Sequence, residues 1–98
     1  MENCCCMKTK KRSEQEYKSL LNRLSRIEGQ IRGIRTMVEN DAYCTDILTQ
    51  SSAVGAALDA FQRELLANHI RTCVADDIRA GKEEKIDELL DTLRKMMR

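Results

Sequence analysis

Three residues with soft donor atoms lie along one predicted helix, residues 43–79. Cys44 lies at its start, and His69 and Cys73 follow farther along, four residues apart from each other. At that spacing an imidazole and a thiol share one helix face, one turn apart. Thiolate and imidazole donors suit Cu(I) or Zn(II) better than hard cations. The three residues therefore form a candidate site for a soft metal ion.

The separation of Cys44 from His69 decides how such a site could be assembled. No proline lies between them, and Gly55 is the only glycine. On a continuous helix with a rise of ~1.5 Å per residue, the two positions are about 37 Å apart, which no single ion can bridge. Either the helix breaks, or Cys44 of one subunit meets His69 and Cys73 of another. We favour the second arrangement, in which two antiparallel helices create two equivalent sites related by a twofold axis.

The first helix carries a start signal and a regular apolar pattern. Ser13 and Glu16 have the spacing of a capping box, which predicts that the helix starts there. Apolar residues then recur at alternating steps of three and four, a heptad pattern that predicts packing of helix against helix. We call these residues the α1 seam: Tyr17, Leu20, Leu24, Ile27, Ile31, Ile34 and Val38.

Turn signals divide the rest of the chain. Asn40 and Asp41 predict a short turn before the second helix, and Gly81 predicts its C-terminal stop. A third helix is predicted over residues 83–96. The fold class is therefore all-α, with a three-helix subunit.

Composition restricts the kind of protein further. The chain has 98 residues, without proline or tryptophan, so it holds one small domain that oligomerisation would help to stabilise. Five cysteines, an odd number, favour metal or redox chemistry over a disulfide framework. No apolar run approaches a membrane span or a signal-peptide core, so we expect a cytoplasmic protein with no membrane association.

The N-terminal segment differs from the remainder in composition and charge. Residues 1–12 are predicted to form a mobile arm rich in cysteine and lysine, ahead of a helical domain over residues 13–98. Cys4, Cys5 and Cys6 are adjacent and poorly spaced to share one ion. Residues 1–35 hold nine Lys/Arg against four Asp/Glu, whereas the remaining residues hold eight against twelve. The basic part could contact nucleic acid or form an ordinary solvated face.

No pattern of catalytic residues is present. The sequence shows no P-loop, no glycine-rich dinucleotide turn, and no Ser/His/Asp or paired-carboxylate arrangement of the kind that a catalytic site uses. We therefore expect a protein that is not an enzyme.

Four segments of the chain resemble the copper-sensitive operon repressor (CsoR) family, over roughly residues 16–93. In that family, nickel and cobalt sensors carry further nitrogen ligands near the N-terminus, persulfide sensors lack the histidine, and formaldehyde sensors lack the second cysteine. This chain has both cysteines and no histidine besides His69, so it resembles the Cu(I)-sensing branch. The segments are residues 23–33 (RLSRIEGQIRG), 41–44 (DAYC), 52–54 (SAV) and 68–73 (NHIRTC).

The resemblance implies a fold, a ligand set and a function. Two subunits would form an antiparallel four-helix bundle, usually doubled to a tetramer, that binds operator DNA when metal-free. Cu(I) would be held by Cys44 of one subunit and by His69 and Cys73 of the other. Metal binding would then release the DNA and derepress copper-export genes.

The resemblance also implies roles for four further residues. Tyr43 and Glu88 match positions that hydrogen-bond the metal-bound histidine and couple it to the DNA surface, although the match of Glu88 needs a one-residue gap after Gly81. Arg23 and Arg63 match DNA-contacting positions. The cysteine-rich arm has no counterpart in the family pattern.

Two other functions remain open at this point. One is a thiol- or persulfide-responsive repressor of the same fold that uses Cys44 and Cys73. The other is a cytosolic metal buffer or chaperone without a DNA-binding role.

Overall fold

The computed structural model describes residues 12–97, which are helical apart from short turns and contain no β-strand. A five-residue π-helical segment, Ile70–Val74, follows the second α-helix directly, and we call it the π turn. The all-α prediction is confirmed, because the three predicted helices appear as α1, as the run from α2 through the π turn to α3, and as α4. The α-helices are α1 (Glu14–Glu39), α2 (Cys44–His69), α3 (Ala75–Arg79) and α4 (Glu84–Met96).

The predicted arm falls almost wholly on residues 1–11, which lie outside the described residues, so that prediction stays untested. None of the helices within residues 12–97 is long and apolar enough to cross a membrane.

Helix α1 begins directly after the predicted capping residue, Ser13. The backbone N–H of Glu16 donates a hydrogen bond to Ser13 Oγ at 3.1 Å, which satisfies one of the donors that a helix start leaves unpaired. After α1 the chain turns at Asp41, whose φ of 56° lies in the left-handed region that aspartate tolerates better than most residues. The carbonyl oxygen of Tyr43 then accepts hydrogen bonds from the first turn of α2. This geometry places Cys44 at the first position of α2.

The described residues fall into two compact units, residues 13–65 and residues 66–97 with Arg12. In the first unit, Leu20 and Ile27 of the α1 seam are buried. Three other seam residues are more than half exposed: Tyr17 (56 %), Ile31 (52 %) and Val38 (56 %). A single chain therefore covers only part of the seam.

The second unit centres on the π turn, where Cys73 and Val74 are buried. Gly81 has a φ of 78°, a conformation open to glycine at little cost, and it ends the long helical run as predicted. Asp77 of α3 fixes the start of the next helix, because its Oδ2 accepts a hydrogen bond from the backbone N–H of Lys85 at 3.0 Å. The first turn of α4 is thus capped by a side chain from the preceding helix.

Removing this cap should destabilise the second unit. We expect Asp77→Ala to lower the free energy of unfolding by about 1 kcal/mol, the usual cost of losing a helix cap, while Asp77→Asn, which keeps an oxygen acceptor, loses less. Asp76→Ala is the matched control, since Asp76 is in the same turn but makes only a 3.5 Å ion pair with the exposed Arg79. Urea denaturation followed by circular dichroism measures the difference. Equal losses for the two alanine variants would contradict the capping role.

Candidate metal centre and nucleic-acid interface

The two ends of α2 carry the candidate ligands. Cys44 is the first residue of this helix and a free, exposed thiol, and His69 is its last residue. The helix between them is unbroken, so its rise of ~1.5 Å per residue separates the two positions by about 37 Å. The prediction of a continuous helix is confirmed. Cys44 and His69 of the same chain therefore cannot bind the same ion.

The π turn follows His69 directly and contains Cys73. Such segments are rare and often occur at functional sites. Thr72 Oγ1 donates a hydrogen bond to the carbonyl oxygen of Asn68 at 2.8 Å, a bond of the kind that bends helices. The wider turn keeps His69 and Cys73 within one turn of each other but changes their angular relation from that of an α-helix. The spacing of His69 and Cys73 does not predict this π-helical geometry.

Cys73 is the more enclosed of the two cysteines in the described residues, with 3 % of its surface exposed. The Oγ1 of Thr72 lies 3.7 Å from its sulfur. Only the thiolate form of Cys73 can bind a metal ion. A metal site at this residue therefore requires reducing conditions.

The described part of one chain does not assemble a complete metal site. Within residues 12–97, no group of three or more His, Cys, Asp or Glu side chains comes together in a way that could hold a metal ion. The chemistry of the candidate donors nevertheless fits a soft ion, since it consists of two sulfur atoms and one imidazole nitrogen.

The two candidate coupling residues lie in different units. Tyr43 directly precedes Cys44 and is 72 % exposed. Glu88 is an exposed residue of α4. Their roles stay predictions.

Arg23, one of the two candidate DNA contacts, is held by a carboxylate. Its Nε donates a hydrogen bond to Glu64 Oε1 at 2.6 Å, and the two side chains are 39 % and 23 % exposed. Hydrogen bonds from Ser19 and from Arg23 hold the pKa of Glu64 below its usual value. Glu64 is therefore ionised at neutral pH. The sequence gives no local signal for this ion pair, because its members are 41 residues apart.

Arg63 is in a different environment, although it is the direct neighbour of Glu64 in sequence. It lies on the exposed side of α2. Its side chain makes no hydrogen bond or ion pair with the part of the chain that the structure describes. One candidate DNA contact is thus neutralised by an internal partner and the other is open to solvent.

Comparison with known proteins identifies the family. The family described as metal-sensitive transcriptional repressor matches residues 16–95. The chain is 53 % identical to the copper-sensing transcriptional repressor CsoR of Bacillus subtilis (strain 168) over 85 residues, which are 86 % of this chain and 84 % of that protein.

Two solved structures share the fold. The crystal structure of the copper-sensing repressor CsoR with Cu(I) from Geobacillus thermodenitrificans NG80-2 matches with a TM-score of 0.87 at 43 % identity, covering 90 % of this chain and 93 % of that one. The nickel-responsive transcriptional regulator InrS matches with a TM-score of 0.71 at 40 % identity, covering 86 % and 92 %. The expectation of a regulator that is not an enzyme is confirmed, because the chain belongs to the metal-sensitive transcriptional repressor family.

Proposed function

We propose that this protein is a Cu(I)-responsive transcriptional repressor of the cytoplasm. Metal-free, it binds operator DNA, and Cu(I) binding weakens that complex and derepresses copper-export genes. The observation that supports this most is the placement of Cys44 and of the His69–Cys73 pair at opposite ends of one unbroken helical run. The 53 % identity to a copper-sensing repressor supports the same function.

The proposed metal site is shared between subunits, with Cys44 from one chain and His69 and Cys73 from another. The length of α2 supports this arrangement, because a single chain keeps Cys44 far from His69. Three soft donors favour trigonal Cu(I) over tetrahedral Zn(II), which normally takes a fourth ligand. The chain has no second histidine, so the additional nitrogen ligands expected of a nickel sensor are lacking.

The proposed assembly is an antiparallel four-helix dimer that pairs into a tetramer. The incompletely covered α1 seam supports it, as does Leu48 of α2, which is 66 % exposed. Apolar side chains exposed along a helix in this way are typical of surfaces that bind another chain. Antiparallel pairing of α2 helices would also bring Cys44 of one chain near the His69 end of the other.

Arg23 and Arg63 are the proposed DNA contacts. Arginine side chains neutralise phosphates and fix the register of a protein on the duplex. No helix-turn-helix is apparent in the sequence, so we infer that selectivity comes from phosphate contacts combined with DNA shape.

Tyr43 and Glu88 are the proposed link between the metal and the DNA surface. When one ring nitrogen of His69 binds the metal ion, the other ring nitrogen can donate a hydrogen bond. The group that accepts this bond orients the imidazole of the ligating histidine. A hydroxyl oxygen of Tyr43 and a carboxylate of Glu88 could accept that bond. Glu88 lies in α4, so a change in its hydrogen bonding would reposition that helix.

Fluorescence anisotropy with the DNA upstream of the protein's own gene tests the proposed function. Reduced, metal-free protein should bind this DNA, and one Cu(I) per subunit should weaken binding by roughly 5- to 150-fold, the usual range of allosteric coupling. Lack of binding by the metal-free protein would instead favour a metal buffer or chaperone. Release by sulfide or peroxide but not by Cu(I) would favour the thiol-responsive function.

A further inference from the structure

The ion pair between Arg23 and Glu64 joins a candidate DNA contact to a carboxylate. Both side chains are partly exposed, and ion pairs of this kind add little to folding stability. Glu64 is nevertheless well held, because Arg23 Nε donates a hydrogen bond of 2.6 Å to its carboxylate. A short, charge-assisted hydrogen bond is therefore maintained at a position that also matches a DNA-contacting arginine.

A phosphate group approaching Arg23 meets the negative charge of Glu64. The carboxylate already neutralises the guanidinium, so a DNA phosphate gains less from Arg23 than from an unpaired arginine such as Arg63. The contact with DNA must either displace Glu64 or leave its charge close to the phosphate, and both cost free energy.

We propose that Glu64 is a positioning residue that limits the DNA affinity of the metal-free protein by competing with phosphate for Arg23. This inference rests on the proposed DNA-binding function. If the DNA affinity of the metal-free protein is limited, a small coupling free energy from metal binding is enough to release the repressor from its operator. Arg63 is free of this restraint, so the two arginines contribute unequally to binding.

Glu64→Gln is the variant that isolates the charge, because glutamine keeps an oxygen acceptor for Arg23 and almost the same shape. We expect it to tighten binding of metal-free protein to operator DNA by about two- to fivefold, the size of a partly exposed charge interaction. The slope of log K against log salt should steepen by up to about one unit, because one more phosphate is neutralised. Anisotropy titrations at several salt concentrations measure both quantities.

Two controls separate this mechanism from a general change in charge. Asp59→Asn removes the same charge from an exposed position on α2, and it should change affinity much less than Glu64→Gln. In an Arg23→Ala background the gain from Glu64→Gln should disappear, whereas in an Arg63→Ala background it should persist. An equal gain from Asp59→Asn, or a gain that survives Arg23→Ala, would overturn the proposal.

Weaker DNA binding by Glu64→Gln would also overturn it, because that result would make Glu64 a support for Arg23. If Glu64→Gln does not fold, Glu64→Ala replaces it as the test. This variant also removes the charge that competes for Arg23, so it should tighten binding, and an unchanged affinity would contradict the proposal. Failure of the wild-type protein to bind DNA would refute the proposed function itself, which is a distinguishable result.

Discussion

Replacing Cys44 or Cys73 by alanine is expected to abolish tight Cu(I) binding. Each substitution leaves the proposed site with one sulfur and one nitrogen, and two donors rarely hold an ion against competition from a chelator. Titration of the reduced protein against a chromophoric Cu(I) chelator measures the effect. Wild-type protein should retain one Cu(I) per subunit under conditions in which both variants lose theirs.

The matched control removes the other cysteines of the chain. A variant with Cys4, Cys5 and Cys6 all replaced by alanine keeps the three proposed ligands, so it should bind Cu(I) as tightly as the wild type. If Cys44→Ala and Cys73→Ala both hold Cu(I) at wild-type affinity while the arm variant loses it, the site lies in the arm and the proposed ligand set is wrong.

Tyr43→Phe is expected to separate copper binding from DNA release. The hydroxyl of Tyr43 is neither a proposed metal ligand nor a proposed DNA contact, so both binding constants should stay close to wild type. The loss of DNA affinity on adding Cu(I) should become smaller by up to roughly tenfold, since coupling free energies of this kind are about 1–3 kcal/mol. Anisotropy titrations with and without Cu(I) give the coupling directly.

Tyr17→Phe is the control for this substitution, because Tyr17 is the other tyrosine of the chain and is also more than half exposed. It should leave the coupling unchanged. A Tyr43→Phe protein that releases DNA on Cu(I) binding as completely as the wild type would exclude Tyr43 from the mechanism.

Local signals in the sequence were sufficient to predict the helices. The hydroxyl of Ser13 caps α1 as its spacing to Glu16 indicates, and Gly81 adopts the positive φ that a helix stop requires. These features depend on residues within one turn of each other, so the sequence contains the information directly. The same holds for the unbroken α2, from which the separation of Cys44 and His69 follows.

The π turn could not be predicted in the same way. A spacing of four between His69 and Cys73 suits one face of an α-helix, and none of the residues between them is a glycine or a proline. The π turn contains Cys73 and Val74, which are both buried, and burial against other parts of the chain is not visible in the local spacing. Periodicity alone does not contain that information.

Contacts between residues that are far apart in the chain also could not be predicted from the sequence. The bond from Lys85 to Asp77 crosses the turn between α3 and α4, whereas cap residues are usually sought directly before a helix. Arg23 and Glu64 become neighbours only when α1 lies against α2. From the sequence alone, Arg23 is predicted to be a solvent-exposed charge. In the structure its guanidinium is held by the carboxylate of Glu64.

Mixing two inactive variants tests the central claim, that the copper site is shared between subunits. When Cys44→Ala and His69→Ala chains are refolded together and pair at random, half of the dimers contain one chain of each kind, and each of these has one intact site. Tight Cu(I) binding should therefore return at about a quarter of a site per chain. A mixture of His69→Ala and Cys73→Ala chains should recover none, because those two ligands come from the same subunit. If the first mixture also binds no Cu(I), although size-exclusion chromatography and mass spectrometry show mixed dimers, the shared site is contradicted.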